Sequence, residues 1–512
     1  MYSVVTTAMV LGIDCRFICV EADVSGGLPC FEMVGYLSSE VREAKERVQT
    51  ALRNSGFELP VARIIINLSP INLRKEGNLY DLPVAIAVLA AVGTIKAEDL
   101  NDWIVIGEVG LDGKIHSAGG VLPIVNAAKE AGFKGCILPV NNVEEGLLVN
   151  DMDIRGVNNV AEAIEFLNLD PCVRESLRSK GNEKIKPDKD FDVDFSEISG
   201  QKLVKRACEV AVAGMHNFLM IGPPGAGKTM IARRIPTILP SMSKDEQMEI
   251  SKIYSVGGHL RGGELIKNRP FRSPHHSVSL QGMTGGGRFP KPGEVSYANG
   301  GVLFLDELPE FQRSVLESLR EPLEDKKITI VRTTGSFEYP SDFMLCCAMN
   351  PCQCGYYPDR NLCNCSVNMI QNYLGKISRP LLDRIDICVE ASRITYKDIT
   401  SAEKAESSQE IRKRVELAHS IQRHRYKNAG IHFNSQLSGS MINEFCVLNH
   451  EEREFLDEAY EKYNLTARSY FKILKVARTI ADLAGNPDIE MEDLTEALIY
   501  KGLDFKYFRE VT

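Results

Sequence analysis

Apolar and polar residues alternate along the N-terminal third of the chain with two different periods. Residues 1–20 alternate every second position and predict a strand, with one face formed by Val4, Thr6, Ala8 and Val10. Further strands are predicted at 63–68, 103–108 and 135–139. Helical spacing predicts helices at 39–55, at 81–90 and within 119–132. Strands that alternate with helices predict an α/β domain.

The pattern changes twice further along the chain. Residues 172–192 are polar and rich in charge, which is typical of a linker. Residues 193–392 return to alternating strands and helices, and residues 393–512 are mainly helical in period. We therefore predict a multidomain α/β protein: an α/β domain at 1–171, the linker, a second α/β domain at 193–392 and a helical lid at 393–512.

A glycine-rich segment lies between a predicted strand at 218–221 and a predicted helix that starts near residue 230. Its residues form a P-loop pattern: Gly222, Pro223, Pro224, Gly225, Ala226, Gly227, Lys228 and Thr229. In such a loop the backbone N–H groups turn towards phosphate oxygens. Lys228 is placed to reach the β- and γ-phosphates, and the Thr229 hydroxyl to bind Mg²⁺. The segment therefore predicts ATP and Mg²⁺ as cofactors.

Two later strands end in polar side chains that suit the same chemistry. An apolar run at 301–305 leads into Asp306 and Glu307, the Walker B pattern. Asp306 is predicted to bind Mg²⁺ and Glu307 to activate the attacking water. The alternative is a solvated acidic pair at a strand end. Asn350 ends the strand predicted at 343–350 and is placed to orient water near the γ-phosphate; the alternative is an ordinary turn residue.

Composition narrows the class of protein. A chain of 512 residues is too long for one hydrophobic core. The formal net charge of -9 argues against a protein that coats nucleic acid non-specifically, because such proteins are usually basic overall. Any contact with DNA must therefore come from a local basic surface. The first residues lack the features of a signal peptide, and no apolar run is long enough to cross a membrane. With 14 cysteines and no such signal, we expect a cytoplasmic protein with reduced thiols.

Four of the cysteines are close together in sequence: Cys352, Cys354, Cys363 and Cys365. Four thiolates can bind one zinc ion in a tetrahedron, although this spacing is tighter than the usual pairs of zinc ligands. Three states are open at this point: a zinc site, reduced free thiols, or a disulfide.

The N-terminal domain resembles the proteolytic domain of Lon-type proteases. The similarity lies in residues 107–114 and 119–123, and it implies the ribosomal protein S5-like fold. That family's catalytic serine would fall within 75–82, where there is none. Its lysine would follow Gly120, where this chain has Val121 and Leu122. The resemblance therefore implies the fold without the protease.

Nearly the whole chain resembles the magnesium-chelatase-like AAA+ family typified by YifB and ComM. The residues that carry the resemblance lie at 270–276, 285–287, 292–296, 305–311, 350–352 and 467–470. The family implies a hexameric ring. Its ComM-type members imply a helicase that drives branch migration of DNA during natural transformation. The alternative is a chelatase- or chaperone-type motor that remodels a protein partner.

The same resemblance implies roles for several basic residues. Arg384 would reach the nucleotide of a neighbouring subunit, or else form a salt bridge with Asp383 or Asp386. Arg468 would be the second sensor arginine, or else a surface residue.

The alternating segment 328–339 predicts a hairpin with Gly335 at or near the turn. In relatives such a hairpin enters the pore, where Lys326, Lys327 and Arg332 would contact DNA phosphates. The alternative is a solvated tip. A glycine-rich insert holds His275 and His276, which we expect to form loop structure or contact substrate rather than to bind metal.

Overall fold

The computed structural model of the chain describes residues 1–176, 191–260, 263–332, 335–393 and 405–508. It has a mixed α/β architecture with a helical C-terminal region, which confirms the predicted fold class. Most of the predicted linker lies outside the described residues, and the domain bounds stay a prediction. No described helix has the length and apolar character needed to cross a bilayer.

The N-terminal part is built on a seven-stranded sheet. Its strands are β1 (Tyr2–Leu11), β2 (Asp14–Ser25), β3 (Cys30–Val34), β4 (Arg63–Ser69), β5 (Trp103–Val105), β6 (Glu108–Val109), β7 (Ile115–His116), β8 (Gly135–Pro139) and β9 (Asp153–Val157). Its helices are α1 (Ser39–Asn54), α2 (Asp81–Val92), α3 (Val121–Glu130), α4 (Val143–Gly146), α5 (Val160–Asn168) and α6 (Pro171–Ser176). The sheet order is β3-β4-β2-β1-β5-β8-β9, and β6 pairs with β7.

The single strand predicted at 1–20 is wrong, because the chain turns at Gly12 and forms two strands. β1 and β2 pair antiparallel with Leu11 opposite Asp14, and Gly12 has a φ of 70° that favours glycine. Alternation of apolar residues continues through this turn, so the period alone did not reveal it. Both faces of β1 are covered: Val5 packs in the core that contains α2, and Ala8 packs in the core that contains α3.

The central part contains a five-stranded parallel sheet. Its strands and hairpins are β10 (Phe218–Ile221), β11 (Phe271–Arg272), β12 (Gly285–Gly286), β13 (Lys291–Pro292), β14 (Val302–Leu305), β15 (Lys327–Arg332), β16 (Gly335–Pro340), β17 (Met344–Met349) and β18 (Ile387–Glu390). Its helices are α7 (Lys202–Gly214), α8 (Lys228–Ala232), α9 (Lys244–Val256), α10 (Leu280–Thr284), α11 (Glu294–Tyr297), α12 (Arg313–Ser318), α13 (Arg320–Asp325), α14 (Val367–Leu374) and α15 (Arg379–Leu382).

The strand order of this sheet is β11-β14-β17-β10-β18. β10, β14 and β17 are buried along their whole length, as expected for parallel strands covered on both faces. Because they are parallel and adjacent, their carboxyl ends lie at one edge of the sheet, where open α/β sheets bind ligands. The P-loop, Asp306 and Asn350 directly follow these three ends.

The C-terminal region is helical, as predicted. Its helices are α16 (Ser408–Arg425), α17 (Gly439–Phe445), α18 (His450–Lys462), α19 (Ala467–Ala484) and α20 (Met491–Phe508). Apolar residues of α16 and α19 share one core with β10 and α7. The helical region also forms an ion pair with the central part: the Lys472 amine on α19 lies 3.2 Å from the Asp386 carboxylate beside β18. Gly485, with a φ of 79°, ends α19.

The predicted hairpin is present, with β15 and β16 paired from Lys327 opposite Pro340 to Arg332 opposite Gly335. The two residues between these strands lie outside the described part of the chain. The N-terminal part contacts this hairpin and the insert. A methyl group added at Gly12 would lie 2.1 Å from the Glu338 carbonyl oxygen, and Arg288 forms an ion pair with Glu40 at 2.9 Å.

Candidate nucleotide site

The P-loop connects the end of β10 to the start of α8. Gly225 and Gly227 have φ angles of 78° and 82°, a region that side chains rarely adopt. Gly222 is restricted by packing instead, because a methyl group there would lie 2.3 Å from the Ala391 carbonyl oxygen. The glycines at 222, 225 and 227 are therefore required by the path of the backbone.

The Lys228 side chain extends back across the P-loop towards Asn350, which follows β17. Its ammonium group donates to the carbonyl oxygens of Gly222 at 2.7 Å and Pro223 at 2.9 Å, and to Asn350 Oδ1 at 3.0 Å. Burial lowers the pKa of this amine to about 8, although Asp306 and Glu307 partly oppose the shift. The amine is thus held at the carboxyl edge of the sheet.

Thr229 and Asp306 are joined by a hydrogen bond of 2.6 Å from the Thr229 hydroxyl to Asp306 Oδ2. A hydroxyl and a carboxylate are hard oxygen ligands of the kind that Mg²⁺ prefers. Two neighbouring oxygens of an octahedral Mg²⁺ site lie about 2.9 Å apart, since each is about 2.1 Å from the ion. The Thr229 and Asp306 oxygens therefore fit as neighbouring ligands of a magnesium ion once they move slightly further apart.

Glu307 follows Asp306 but points into a more open region. Its backbone has a φ of 52°, and its side chain is 62% exposed, which leaves room for a water molecule beside the carboxylate. His276 of the insert lies 3.8 Å from Glu307 Oε2. This contact has no signal in the sequence, because no short-range pattern connects the insert to the Walker B strand.

The two insert histidines pack against each other, with ring centroids 4.0 Å apart and ring planes tilted by 36°. His275 Nδ1 lies 2.8 Å from the Ser277 hydroxyl, so it takes part in loop structure. Among the described residues, the one group of three or more histidine, cysteine or carboxylate side chains close enough to share a metal ion is elsewhere, at the four cysteines.

Asn350 lies between the P-loop and α14. Its side-chain oxygen accepts from Lys228, and its backbone lies near the Tyr373 hydroxyl on α14. The cysteine segment starts two residues later and folds back onto the P-loop. A methyl group at Gly355 would lie 2.4 Å from Pro224 Cδ.

The four cysteines form one compact cluster. Their sulfur atoms all lie within 4.8 Å of one another, and all four cysteines are free of disulfides. The measured sulfur–sulfur distances are 3.3 Å for Cys352–Cys354, 3.7 Å for Cys352–Cys363 and 3.5 Å for Cys354–Cys363. The disulfide alternative is therefore wrong for this structure.

Arg384 and Arg468 lie together, but away from the P-loop. Both pair with the carboxylate of Glu324 on α13, Arg468 at 2.9 Å. Arg384 is 8% exposed, and its backbone carbonyl accepts from the Asn217 side chain at 2.8 Å. The alternative salt bridge of Arg384 with Asp383 or Asp386 is not the observed one. Nothing in the sequence pattern indicated Glu324.

A cleft of ≈ 790 Å³ opens beside this arginine pair. It is lined by α10, α12, α13 and β15, and it includes Glu324, Arg384 and Arg332. The residues around the P-loop and the arginine pair thus form two separate clusters within one chain.

The three basic residues predicted to contact DNA differ in their surroundings. Lys326 pairs with Asp342 at 3.0 Å, and Lys327 pairs with Glu338 at 3.0 Å. Arg332 lies at the end of β15, and within the described residues no carboxylate pairs with it. The positive charge that remains available on this hairpin is therefore that of Arg332.

In the N-terminal part, the segment that would carry a Lon-type serine is occupied by other interactions. Asp81 is buried and bonded by Arg47 at 2.9 Å, and Lys75 is buried with its amine donating to the Pro70 carbonyl. Val121 and Leu122, where the lysine would be, are buried in α3. These positions are filled by packing and by an ion pair.

Three family models match the chain. The model described as magnesium chelatase, subunit ChlI, matches residues 194–399. Subunit ChlI of Mg-chelatase matches 20–142, and magnesium chelatase, subunit ChlI C-terminal, matches 405–501. The competence protein ComM of Haemophilus influenzae is 37% identical over 494 residues, which cover 96% of each chain. The chain belongs to the magnesium-chelatase-like AAA+ family.

Two further relatives refine this assignment. The uncharacterized protein YifB of Escherichia coli (strain K12) is 38% identical over 506 residues, 98% of this chain and 97% of YifB. Lon protease 2 of Bacillus subtilis is 29% identical over 163 residues, 30% of this chain and 28% of the protease. The chain is therefore an AAA+ protein of the ComM and YifB type that also resembles Lon over a shorter part of its length.

Proposed function

We propose that this AAA+ protein hydrolyses ATP as a subunit of a hexameric ring and uses the energy to move on DNA. In this proposal it is a ComM-type helicase that promotes branch migration during natural transformation and recombination. The observation that carries the ATPase part is the pair of bonds from Lys228 to Asn350 and from Thr229 to Asp306. The proposal includes the domain bounds 1–171, 193–392 and 393–512.

The chain's own residues divide the work of hydrolysis. Lys228 binds the β- and γ-phosphates, while Thr229 and Asp306 hold Mg²⁺. Bound Mg²⁺ neutralises charge that develops on the phosphate oxygens. Glu307 accepts a proton from the attacking water, and Asn350 orients that water. The exposure of Glu307 and the position of Asn350 beside Lys228 support these roles.

Arg384 and Arg468 complete the site from a second subunit. In the single chain they bind Glu324 rather than the P-loop, so they are available to a nucleotide held by a neighbour. An arginine that reaches a neighbour's γ-phosphate stabilises charge in the transition state. A ring supplies one such contact at every interface, and six is the number of subunits that the family resemblance implies.

DNA is the proposed substrate of the motor, and the β15–β16 hairpin its contact. Arg332 is the principal phosphate ligand, with Lys326 and Lys327 in support. A local contact of this kind is compatible with the net charge of -9, because salt screens charges beyond about 8 Å at physiological ionic strength. The name of the competence protein ComM supports a role in competence.

The proposed cofactors are ATP and Mg²⁺, with zinc at Cys352, Cys354, Cys363 and Cys365. We place the protein in the cytoplasm, where ATP is available and thiols stay reduced. None of the 14 cysteines, all of which lie in the described part of the chain, forms a disulfide, which agrees with such a compartment.

The test is the rate of ATP hydrolysis by the full chain, alone and with single-stranded or branched DNA. We expect basal hydrolysis that rises several-fold with DNA, and a mass of six chains with ATP present. Lys228→Ala is the control and should not hydrolyse ATP. Absence of hydrolysis in the parent protein would overturn the ATPase proposal.

The second candidate is a motor that remodels a protein partner. It is favoured by the pairing of Lys326 and Lys327 with carboxylates, which leaves one hairpin cation for DNA. The same assay separates the two: hydrolysis that responds to neither form of DNA would reject the DNA motor in favour of the remodeller.

A further inference from the structure

The cysteine cluster is tied to the nucleotide site at both of its ends. Cys352 lies two residues after Asn350 and is fully buried. Cys365 directly precedes the Ser366 cap of α14, and Tyr373 of that helix lies near the backbone of Asn350. The cysteine loop, residues 352–365, therefore leaves Asn350 and returns to the helix that lies near it.

The middle of the cysteine loop contacts the P-loop directly. Gly355 has a φ of 88° and packs so closely on Pro224 that a methyl group would lie 2.4 Å from Pro224 Cδ. The Gly222 N–H also donates to the Met349 carbonyl at 3.2 Å. The position of the P-loop relative to Asn350 thus depends on where this loop lies.

No helix or strand is present within the cysteine loop, and its shape comes from backbone turns and from the cluster of sulfur atoms at its centre. A tetrahedral zinc site with Zn–S bonds of about 2.3 Å places its sulfur atoms about 3.8 Å apart. The observed 3.3, 3.7 and 3.5 Å are close to this spacing. They are far from the bond of about 2.05 Å in a disulfide.

A backbone N–H group points at one of the sulfur atoms as well. Tyr357 donates to Cys352 at 3.4 Å. Such donors stabilise thiolates and orient metal ligands. Four thiolates without a cation would repel one another at these distances, so the arrangement fits a bound dication.

We infer that zinc bound by the four cysteines holds the cysteine loop in place, so that Gly355 seats the P-loop and Asn350 meets Lys228. The cluster is then a positioning element of the ATP site and takes no part in the reaction itself. This inference rests on the proposed ATPase function. It adds that assembly of the nucleotide site depends on a metal other than Mg²⁺.

The experiment compares Cys363→Ser/Cys365→Ser with the parent and with a control, Cys15→Ser/Cys19→Ser, whose half-buried cysteines lie on β2. Zinc content, binding of a fluorescent ATP analogue and ATP hydrolysis are measured on each. We expect about one zinc per chain in the parent and the control, and none in the test variant. Hydrolysis by the test variant should fall about a hundredfold, as displacement of positioning groups by about 1 Å can cause.

A second variant separates metal binding from packing. Gly355→Ala should keep its zinc but lose nucleotide affinity and hydrolysis, because the added methyl group displaces Pro224. Adding zinc back to chelator-treated parent should restore nucleotide binding, and cobalt should give the spectrum of a tetrahedral thiolate site.

Each outcome bears on one claim. A parent that holds no zinc overturns the metal site. A zinc-free variant that binds and hydrolyses ATP like the parent overturns the positioning role and leaves the proposed function intact. A parent that holds zinc but does not bind ATP refutes the proposed function, and with it the positioning role, while the zinc measurement still stands.

Discussion

The two clusters of predicted ATPase residues differ in how far a single chain completes them. Around the P-loop, Lys228 bonds Asn350 and Thr229 bonds Asp306, so these groups already meet within one chain. Arg384 and Arg468 meet each other through Glu324 instead. One chain therefore brings the P-loop residues together, whereas its two arginines contact Glu324 and not the P-loop.

Glu324 holds the side chains of Arg384 and Arg468 in place within the single chain. Arg384, and to a lesser extent Arg468, lower the pKa of the Glu324 carboxyl, so the group is an anion at neutral pH. One carboxylate balances one of two positive charges, and the pair keeps a net positive charge that suits a phosphate. The buried Arg384 Nε has no hydrogen-bond partner among the described residues and is a further donor.

The largest expected effect is that of Arg384→Ala. Loss of an arginine that stabilises the transition state lowers hydrolysis about a thousandfold. Binding of an ATP analogue should be unchanged, because Arg384 does not contact the P-loop of its own chain. Steady-state hydrolysis and analogue binding are the measurements. Arg320→Ala, in the same cleft but paired with Glu317, is the matched control and should behave like the parent.

Mixing subunits tests whether Arg384 acts between chains. Arg384→Ala subunits mixed with Lys228→Ala subunits form some interfaces at which an intact arginine faces an intact P-loop. Activity should therefore partly return. If no mixture regains activity, Arg384 acts within its own chain and the comparison between the two clusters is wrong.

Glu307→Gln should lower hydrolysis by at least about a hundredfold, because the general base is lost. ATP binding should persist, since Lys228, Thr229 and Asp306 are unchanged. Single-turnover hydrolysis measures the effect. The control is Glu310→Gln, an exposed carboxylate nearby that pairs with Lys376 at 3.2 Å. Unchanged turnover in Glu307→Gln would refute the Walker B assignment.

Local sequence indicated which residues meet around the P-loop but not which residue the two arginines contact, for a physical reason. Asp306 and Asn350 follow short apolar runs, and parallel strands bring their carboxyl ends to one edge. Glu324, in contrast, lies 144 residues from Arg468 and on a short helix without a periodic signal. The contact of His276 with Glu307 and that of Gly355 with Pro224 were missed for the same reason: they depend on how loops fold back.

Lys228 allows a test of the P-loop cluster alone. Its pKa is about 8 in the free protein because of burial, and ATP phosphates raise it in the complex. ATP binding therefore takes up a proton when the pH lies between these two values, and affinity falls as pH rises above 8. From pH 7 to pH 9 the loss should be about tenfold. Calorimetry in buffers of different ionisation enthalpy measures the proton; uptake at pH 9 no greater than at pH 7 would contradict this.

The smallest expected effect concerns Arg332, which lines the same cleft as Arg384. If Arg332 contacts DNA, Arg332→Ala should lower DNA-stimulated hydrolysis while basal hydrolysis stays near the parent's. The salt dependence of DNA binding should also weaken, with the slope reduced by about one unit for each subunit engaged. Lys327→Ala is the matched control, because Glu338 already neutralises that lysine and its loss should change the slope less.

A fall in basal hydrolysis of Arg332→Ala would instead place Arg332 at the subunit interface with Arg384, since DNA is absent from that measurement. If the variant binds and unwinds branched DNA like the parent across a salt series, the hairpin is not the DNA contact. The insert around His275 and Arg288 then becomes the leading candidate. Arg288 must leave Glu40 to take that role, so Glu40→Gln, which frees Arg288, should tighten DNA binding in that case and leave it unchanged if Arg332 is the ligand.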